Sequence, residues 1–128
     1  MNNLHDAEII GLSVERRIQY ARLDFRLDDG ASRSVELKGL RAFRCEDLTI
    51  QNVVSRLIVS DQANISREDM TYWIDWVTSF SDTGSWLNGQ HKVEWLTACE
   101  NGTLKLVLVE PSAGAQIAAV CECFALVD

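Results

Sequence analysis

Two histidines, His5 and His91, and four cysteines, Cys45, Cys99, Cys121 and Cys123, are the residues in this 128-residue chain best suited to hold a metal or to act as nucleophile and base. Cys121 and Cys123 stand two apart, so an unbroken strand would turn both thiols to one face. Cys45, Cys99, His5 and His91 could then complete a tetrahedral set. Structural zinc sites, however, pair their ligands as Cys-x2-Cys on a turn. Here the pair lies inside an apolar run from Ile117 to Val127, and the expectation is reduced core thiols with no metal and no other cofactor. Acyl-transfer chemistry fares no better: there is no G-x-S-x-G elbow, and the neighbours His5 and Asp6 seldom reach a working geometry when adjacent in sequence. Gly84, Gly89 and Gly102 form no phosphate-cradling pattern. The carboxylate pairs Asp28-Asp29, Glu46-Asp47 and Glu68-Asp69 fall in a turn, a connection and a helix start.

Charge and aromatic placement point instead to recognition. Residues 1–60 carry nine basic and nine acidic residues, whereas residues 61–128 carry three basic and ten acidic ones, so the whole net charge of −7 lies in the second half. That balance argues against nucleic acid, where neutralising phosphates supplies most of the affinity, and suits a basic protein partner. All four tryptophans, Trp73, Trp76, Trp86 and Trp95, share this acidic half. Trp86 sits in a glycine-rich loop with no evident core partner, which makes it a candidate interface anchor. Asp75, Asp82, Trp86 and Glu94 are the candidate partner-binding residues.

These side chains must be positioned by a predominantly β scaffold. Composition is that of one globular domain, 47% hydrophobic and 24% charged. A chain of this size buries roughly two-thirds of its unfolded surface. Apolar residues alternate through Ile10-Leu12-Val14, Ala21-Leu23-Phe25-Leu27 and Val35-Leu37, with Arg16-Arg17 and Asp28-Asp29-Gly30 as turns, predicting an antiparallel meander over 8–38. Residues 48–60 fit two patterns: Ile50, Val53, Val54, Leu57 and Ile58 share one helical face, while the β-branched stretch from Gln51 to Ser60 reads as a strand. Ser66-Arg67-Glu68-Asp69 resembles a capping box, and Met70, Trp73, Ile74 and Val77 follow at helical spacing, predicting a helix over 67–80. Residues 81–91 read as loop, 92–99 as a strand ended by an Asn101-Gly102 turn, Leu104-Leu106-Leu108 as the next strand, and 116–127 as one long strand apolar on both faces. The expected fold is α+β: about seven mostly antiparallel strands, in a curved sheet or sandwich, with one main helix. The start, Met1 to Asp6, lacks a basic region and an apolar run, and no stretch approaches the ~20 apolar residues that cross a bilayer. A cytoplasmic, membrane-free protein is expected.

Leu4-His5-Asp6-Ala7, Gln51-Asn52, and Glu110-Pro111-Ser112-Ala113-Gly114-Ala115 ahead of Cys121 together give the chain a resemblance to a family of small bacterial proteins, some of which are regarded as immunity proteins of polymorphic toxin systems. The family more often carries an aromatic at the position of Ala113. The resemblance implies a compact α+β protein that neutralises a toxin, often a basic nuclease, by binding it, and it carries over no catalytic residue. An alternative reading is a small-molecule or enzymatic site where His5, Asp6, Gln51, Asn52, Glu110 and Ser112 converge at strand ends. A third is a homo-oligomer paired through an edge strand.

Overall fold

The computed structural model describes residues 4–80 and 83–128. It is an α+β structure with one antiparallel sheet of eight strands. The strands are β1 (Glu8–Glu15), β2 (Tyr20–Arg26), β3 (Ser32–Lys38), β4 (Ala42–Glu46), β5 (Val53–Val59), β6 (Lys105–Ala113), β7 (Gln116–Cys121) and β8 (Cys123–Val127), in the order β4-β7-β6-β5-β1-β2-β3-β8. Two helices, α1 (Arg67–Val77) and α2 (Gly89–Asn101), lie between β5 and β6 in the chain.

The first hairpins follow their alternation. Ala21, Leu23 and Phe25 are fully buried while Arg22 and Asp24 stand on the other face of β2, and Leu23 pairs with Val35 and Ala21 with Leu37. Arg16–Ile18 form a short 3-10 turn between β1 and β2.

The far end of the sheet explains its curvature. β3 and β4 are two halves of one ribbon, as are β7 and β8, and the two ribbons pair along their whole length. Lys38 faces Cys123 on one side of the break and Ala42 faces Val120 on the other, so residues 39–41 oppose only residues 121 and 122. One extra residue makes a bulge, which bends both ribbons. Gly39 occupies it at φ +64°, and a Cβ there would lie 2.6 Å from the Glu122 carboxyl. Because the outermost strands in the order are continuations of interior ones, the sheet rolls up. The inward faces of β1, β2, β3, β5, β6 and β7 meet in one cluster that includes Ile9, Phe25, Leu37, Val54, Val109 and Ile117, with Leu4 packed among them. The roll is sparsely joined between β1 and β5. There the register holds a single strand pair, Glu8 with Val53, flanked by Asp6 N–H to Val54 O (2.8 Å), Val54 N–H to Ala7 O (2.8 Å) and Ile9 N–H to Asn52 O (2.9 Å).

A second cluster lies outside the roll. Leu106, Leu108, Ala118, Val120 and Ala42 turn outward and are covered by Met70, Ile74 and Val77 of α1 and Leu96 and Cys99 of α2. β6 and β7 are therefore apolar on both faces, one toward the roll and one toward the helices.

Four expectations are corrected. Residues 92–99 belong to α2, not to a strand: Asn88 caps it by accepting from His91 N–H at 2.9 Å, and Gly102 (φ +84°) ends it, so Asn101-Gly102 is a helix stop and not a hairpin turn. α1 ends at Val77, where Thr78 Oγ1 donates to Ile74 O (2.7 Å), short of Phe80. Ala42–Glu46 is an additional strand. The single last strand is two, broken at Glu122, which leaves Cys121 fully buried and Cys123 exposed instead of side by side in the core. The strand expected within 51–60 is β5. No described helix is long and apolar enough to cross a membrane.

Candidate protein-interaction surface

The connection after α1 is built to present Trp86. Thr78 is fully buried and its hydroxyl lies 2.5 Å from Ser85 Oγ. Trp86 N–H donates to Thr78 O (2.8 Å), Leu87 N–H to Ser85 Oγ (3.1 Å), and Ser79 bridges Ser85. Leu87 then turns into the core beneath the helices. Trp86, held between these bonds and the buried Leu87, keeps 49% of its surface exposed. Its ring meets Trp95 of α2 edge to face, with centroids 6.2 Å apart and planes at 83°. The ring is thus oriented before any partner arrives, which lowers the ordering cost of an anchor.

Two hollows flank this aromatic pair. One, of about 470 Å³, lies between Trp86, Val14 of β1, Gln19 and the Leu40–Phe43 segment. The other, of about 350 Å³, lies between α2 and the ribbon bulge and is lined by Glu94, Trp95, Ala98, Leu104 and Glu122. Arg41 lines both, its guanidinium 2.7 Å from Glu122.

The sequence-predicted residues are distributed unevenly over this surface. Trp86 and Glu94 border it, and Glu94 is exposed with no ion pair among the described residues. Asp75 is exposed but bonded to Lys92 Nζ at 2.5 Å, tying α1 to α2. Asp82 lies outside the described residues. Trp73 and Trp76 stack edge to face (5.4 Å) against the sheet, and the Arg44 guanidinium lies 4.4 Å over Trp76, so these two serve the packing of α1. Trp95, Arg41 and Glu122 escape sequence reasoning as site residues. The strand reading hid the face on which Trp95 lies, and Arg41 meets Glu122 only through the bulge.

The alternative polar set does come together along β5, and its side chains other than that of Gln51 are engaged by neighbouring groups. Asn52 is buried: Oδ1 accepts from Thr49 N–H (2.9 Å) and Ala115 N–H (3.1 Å), and Nδ2 donates to Thr49 O (2.6 Å). His5 Nδ1 donates to Ser55 O at 2.7 Å, with Nε2 3.5 Å from Asp6. Ser112 Oγ donates to Val53 O (3.3 Å), Glu110 pairs with Arg56, and Gln51 is exposed. An open cleft of about 570 Å³ runs between residues 8–12 and 48–52, and Asn52 is the one member of the set that lines it.

On the face of β2 and β3 away from the roll, Asp24 is held below the usual carboxylate range, first by the Ser34 hydroxyl (2.5 Å) and then by Arg22 (2.9 Å). Tyr20 is raised by its bond to Glu36 (2.6 Å). Burial pushes the thiols of Cys99 and Cys121 up to about 11 and about 12, which makes them poor nucleophiles.

The class defined here is an α+β protein whose rolled antiparallel sheet carries a helical layer on one side. No family model matches the chain, and no curated protein matches it. Among solved structures it is similar to an uncharacterized protein from Neisseria gonorrhoeae, with a TM-score of 0.51 at 7% identity, over 95% of this chain and 90% of that one. That likeness shows the fold alone.

Proposed function

We propose that this chain is a non-enzymatic protein-binding module, an immunity protein that neutralises a basic toxin by covering it. The observation that carries this reading is Trp86, half exposed and fixed in place by Trp95 between two hollows. The charge distribution supports it. The three cations of the second half, Arg67, Lys92 and Lys105, each face an acid (Glu100, Asp75 and Asp61), so the ion pairs leave the acidic excess of the helical layer uncompensated. Opposite potentials speed and orient encounter, and a central tryptophan holds the complex once formed. The resemblance carried by Leu4–Ala7, Gln51-Asn52 and Glu110–Ala115 agrees with this role.

The test uses the purified chain as bait in its own source lysate at low salt, followed by identification of any stoichiometric basic protein that salt releases. That protein is then titrated against Trp86→Ala and against a double variant adding Glu94→Gln. Affinity is expected to fall about 30-fold for the single change, and further for the double, with circular dichroism unchanged. Unchanged affinity in the double variant would sink the assignment of this surface.

A further inference from the structure

The hollow beside α2 has the chemistry of a receptor for one cationic side chain. Ala98 and the buried Leu104 give it an apolar floor, and Trp95 gives it an aromatic wall. Glu94, one residue before Trp95, stands at its rim with no ion pair among the described residues. Across the hollow, Glu122 is held by Arg41 at 2.7 Å, so the chain's own guanidinium there is neutralised and Glu94 is the carboxylate left over. The C-terminal turn of α2 forms the remaining side, through Ala98 and Thr103. That turn contains Glu100, which is paired with Arg67 of α1 at 2.5 Å. Lys105, at the same helix end, is turned to Gly102 O (2.5 Å) and Asp61 (3.6 Å) and does not line the hollow. The negative end of the helix is thus offset by Lys105 on the Gly102 carbonyl and by Arg67 on Glu100, and the charge facing the hollow is that of Glu94.

We infer that this hollow receives an arginine side chain of the partner protein, its stem along Ala98 and Leu104 and its guanidinium between Glu94 and the Trp95 ring. Arginine suits it better than lysine. A planar, weakly hydrated guanidinium stacks on an indole while bonding a carboxylate, and an ammonium does so less well. The inference rests on the protein-binding reading and names the chemistry of its anchor.

The test needs no partner. N-acetyl-arginine amide is titrated into the isotope-labelled chain while the tryptophan indole N–H resonances are followed, with N-acetyl-citrulline amide as the neutral isostere. The arginine derivative is expected to shift the Trp95 resonance saturably, at about fivefold lower concentration than the citrulline derivative. Glu94→Gln should remove that difference while leaving the citrulline titration unchanged. Equal titrations by the two derivatives, or an arginine preference that survives Glu94→Gln, would overturn the slot. A captured partner whose binding is lost in Trp86→Ala but is indifferent to Glu94→Gln would also overturn the slot while leaving the protein-binding reading standing.

Discussion

Asn52 shows how a residue that attracts attention as part of a motif can be wholly engaged by the fold. Its amide closes the 49–52 turn on itself and ties it to Ala115, and Gly114 must be glycine for that approach to exist. Gly114 has φ +77°, and a Cβ there would lie 2.4 Å from Asn52 Oδ1 and 2.5 Å from Gln51 O. Gly114→Ala is expected to cost about 2–4 kcal/mol. Asn52→Ala, which orphans Thr49 and the Ala115 N–H, is expected to cost about 2–3 kcal/mol. Urea unfolding measures both, and a loss below about 1 kcal/mol for either would show that the turn rebuilds without the knot. The buried thiols give a pH-dependent prediction. Cys99 and Cys121 ionise near 9 when unfolded but only near 11 and 12 when folded. Above pH 9 the unfolded chain has lost protons that the folded chain retains, so stability falls as pH rises. The slope is about 1.4 kcal/mol per pH unit for each thiol, and below pH 9 there is no effect. Unfolding midpoints at pH 8 and pH 10.5 should therefore diverge less in a Cys99→Ala, Cys121→Ala variant than in the parent. Equal divergence would assign the alkaline loss to other groups.

Elements were legible in the sequence where a strand has one wet face and one buried face. β2 alternates cleanly because Arg22 and Asp24 stand part-exposed on its outer side, and β3 departs from the pattern at Ser34, which is buried beneath those two side chains. β6 and β7 keep their strand character in spite of apolar residues on both faces; the double burial expected over 116–127 holds for β7 and fails for β8, where Cys123 and Ala125 are exposed. α2 is hidden because it buries so little: Leu96 and Cys99 are its two buried residues, and Val93 is 56% exposed. An amphipathic stripe that narrow gives no period, and Asn-Gly serves a hairpin turn and a helix stop equally well, since both need a positive φ. Asn88, three residues ahead of His91, is the local signal that would have separated the two. β4 and the break at Glu122 have no local signal, because the bulge that creates them exists only when two distant ribbons pair. The candidate surface divides along the same line. Trp86 is visible as a large aromatic among loop residues, whereas Arg41 and Glu122 enter the surface through that bulge. Asp75, chosen for its charge, proves to be a strut between the helices.

At the scale of the whole molecule, charge and shape are arranged on different sides. In the first sixty residues, which supply five strands of the roll, exposed Arg16, Arg17 and Arg26 are offset by as many acids, among them exposed Glu15, Asp28 and Asp29, while the helical layer carries exposed Glu68, Asp69 and Glu94. On the proposed function, an acidic layer of this kind would turn toward a basic protein, and Trp86 lies at the rim of that layer. The two features act on different steps of binding. Long-range attraction sets the encounter rate and is screened over about 10 Å at ordinary salt. Desolvation of a packed indole governs escape. Neutralising Glu68, Asp69 and Glu94 together is therefore expected to lower the association rate severalfold and to flatten its dependence on salt, with dissociation little changed. Trp86→Ala is expected to leave association nearly unaltered and to raise dissociation by about 30-fold. Stopped-flow association and dissociation with the captured partner, at low and high salt, separate the two. If association is independent of salt in the parent, the acidic layer is there for solubility and the encounter is steered by shape alone. If the triple neutralisation instead raises the dissociation rate as Trp86→Ala does, these carboxylates are buried in the complex and belong to the anchor itself.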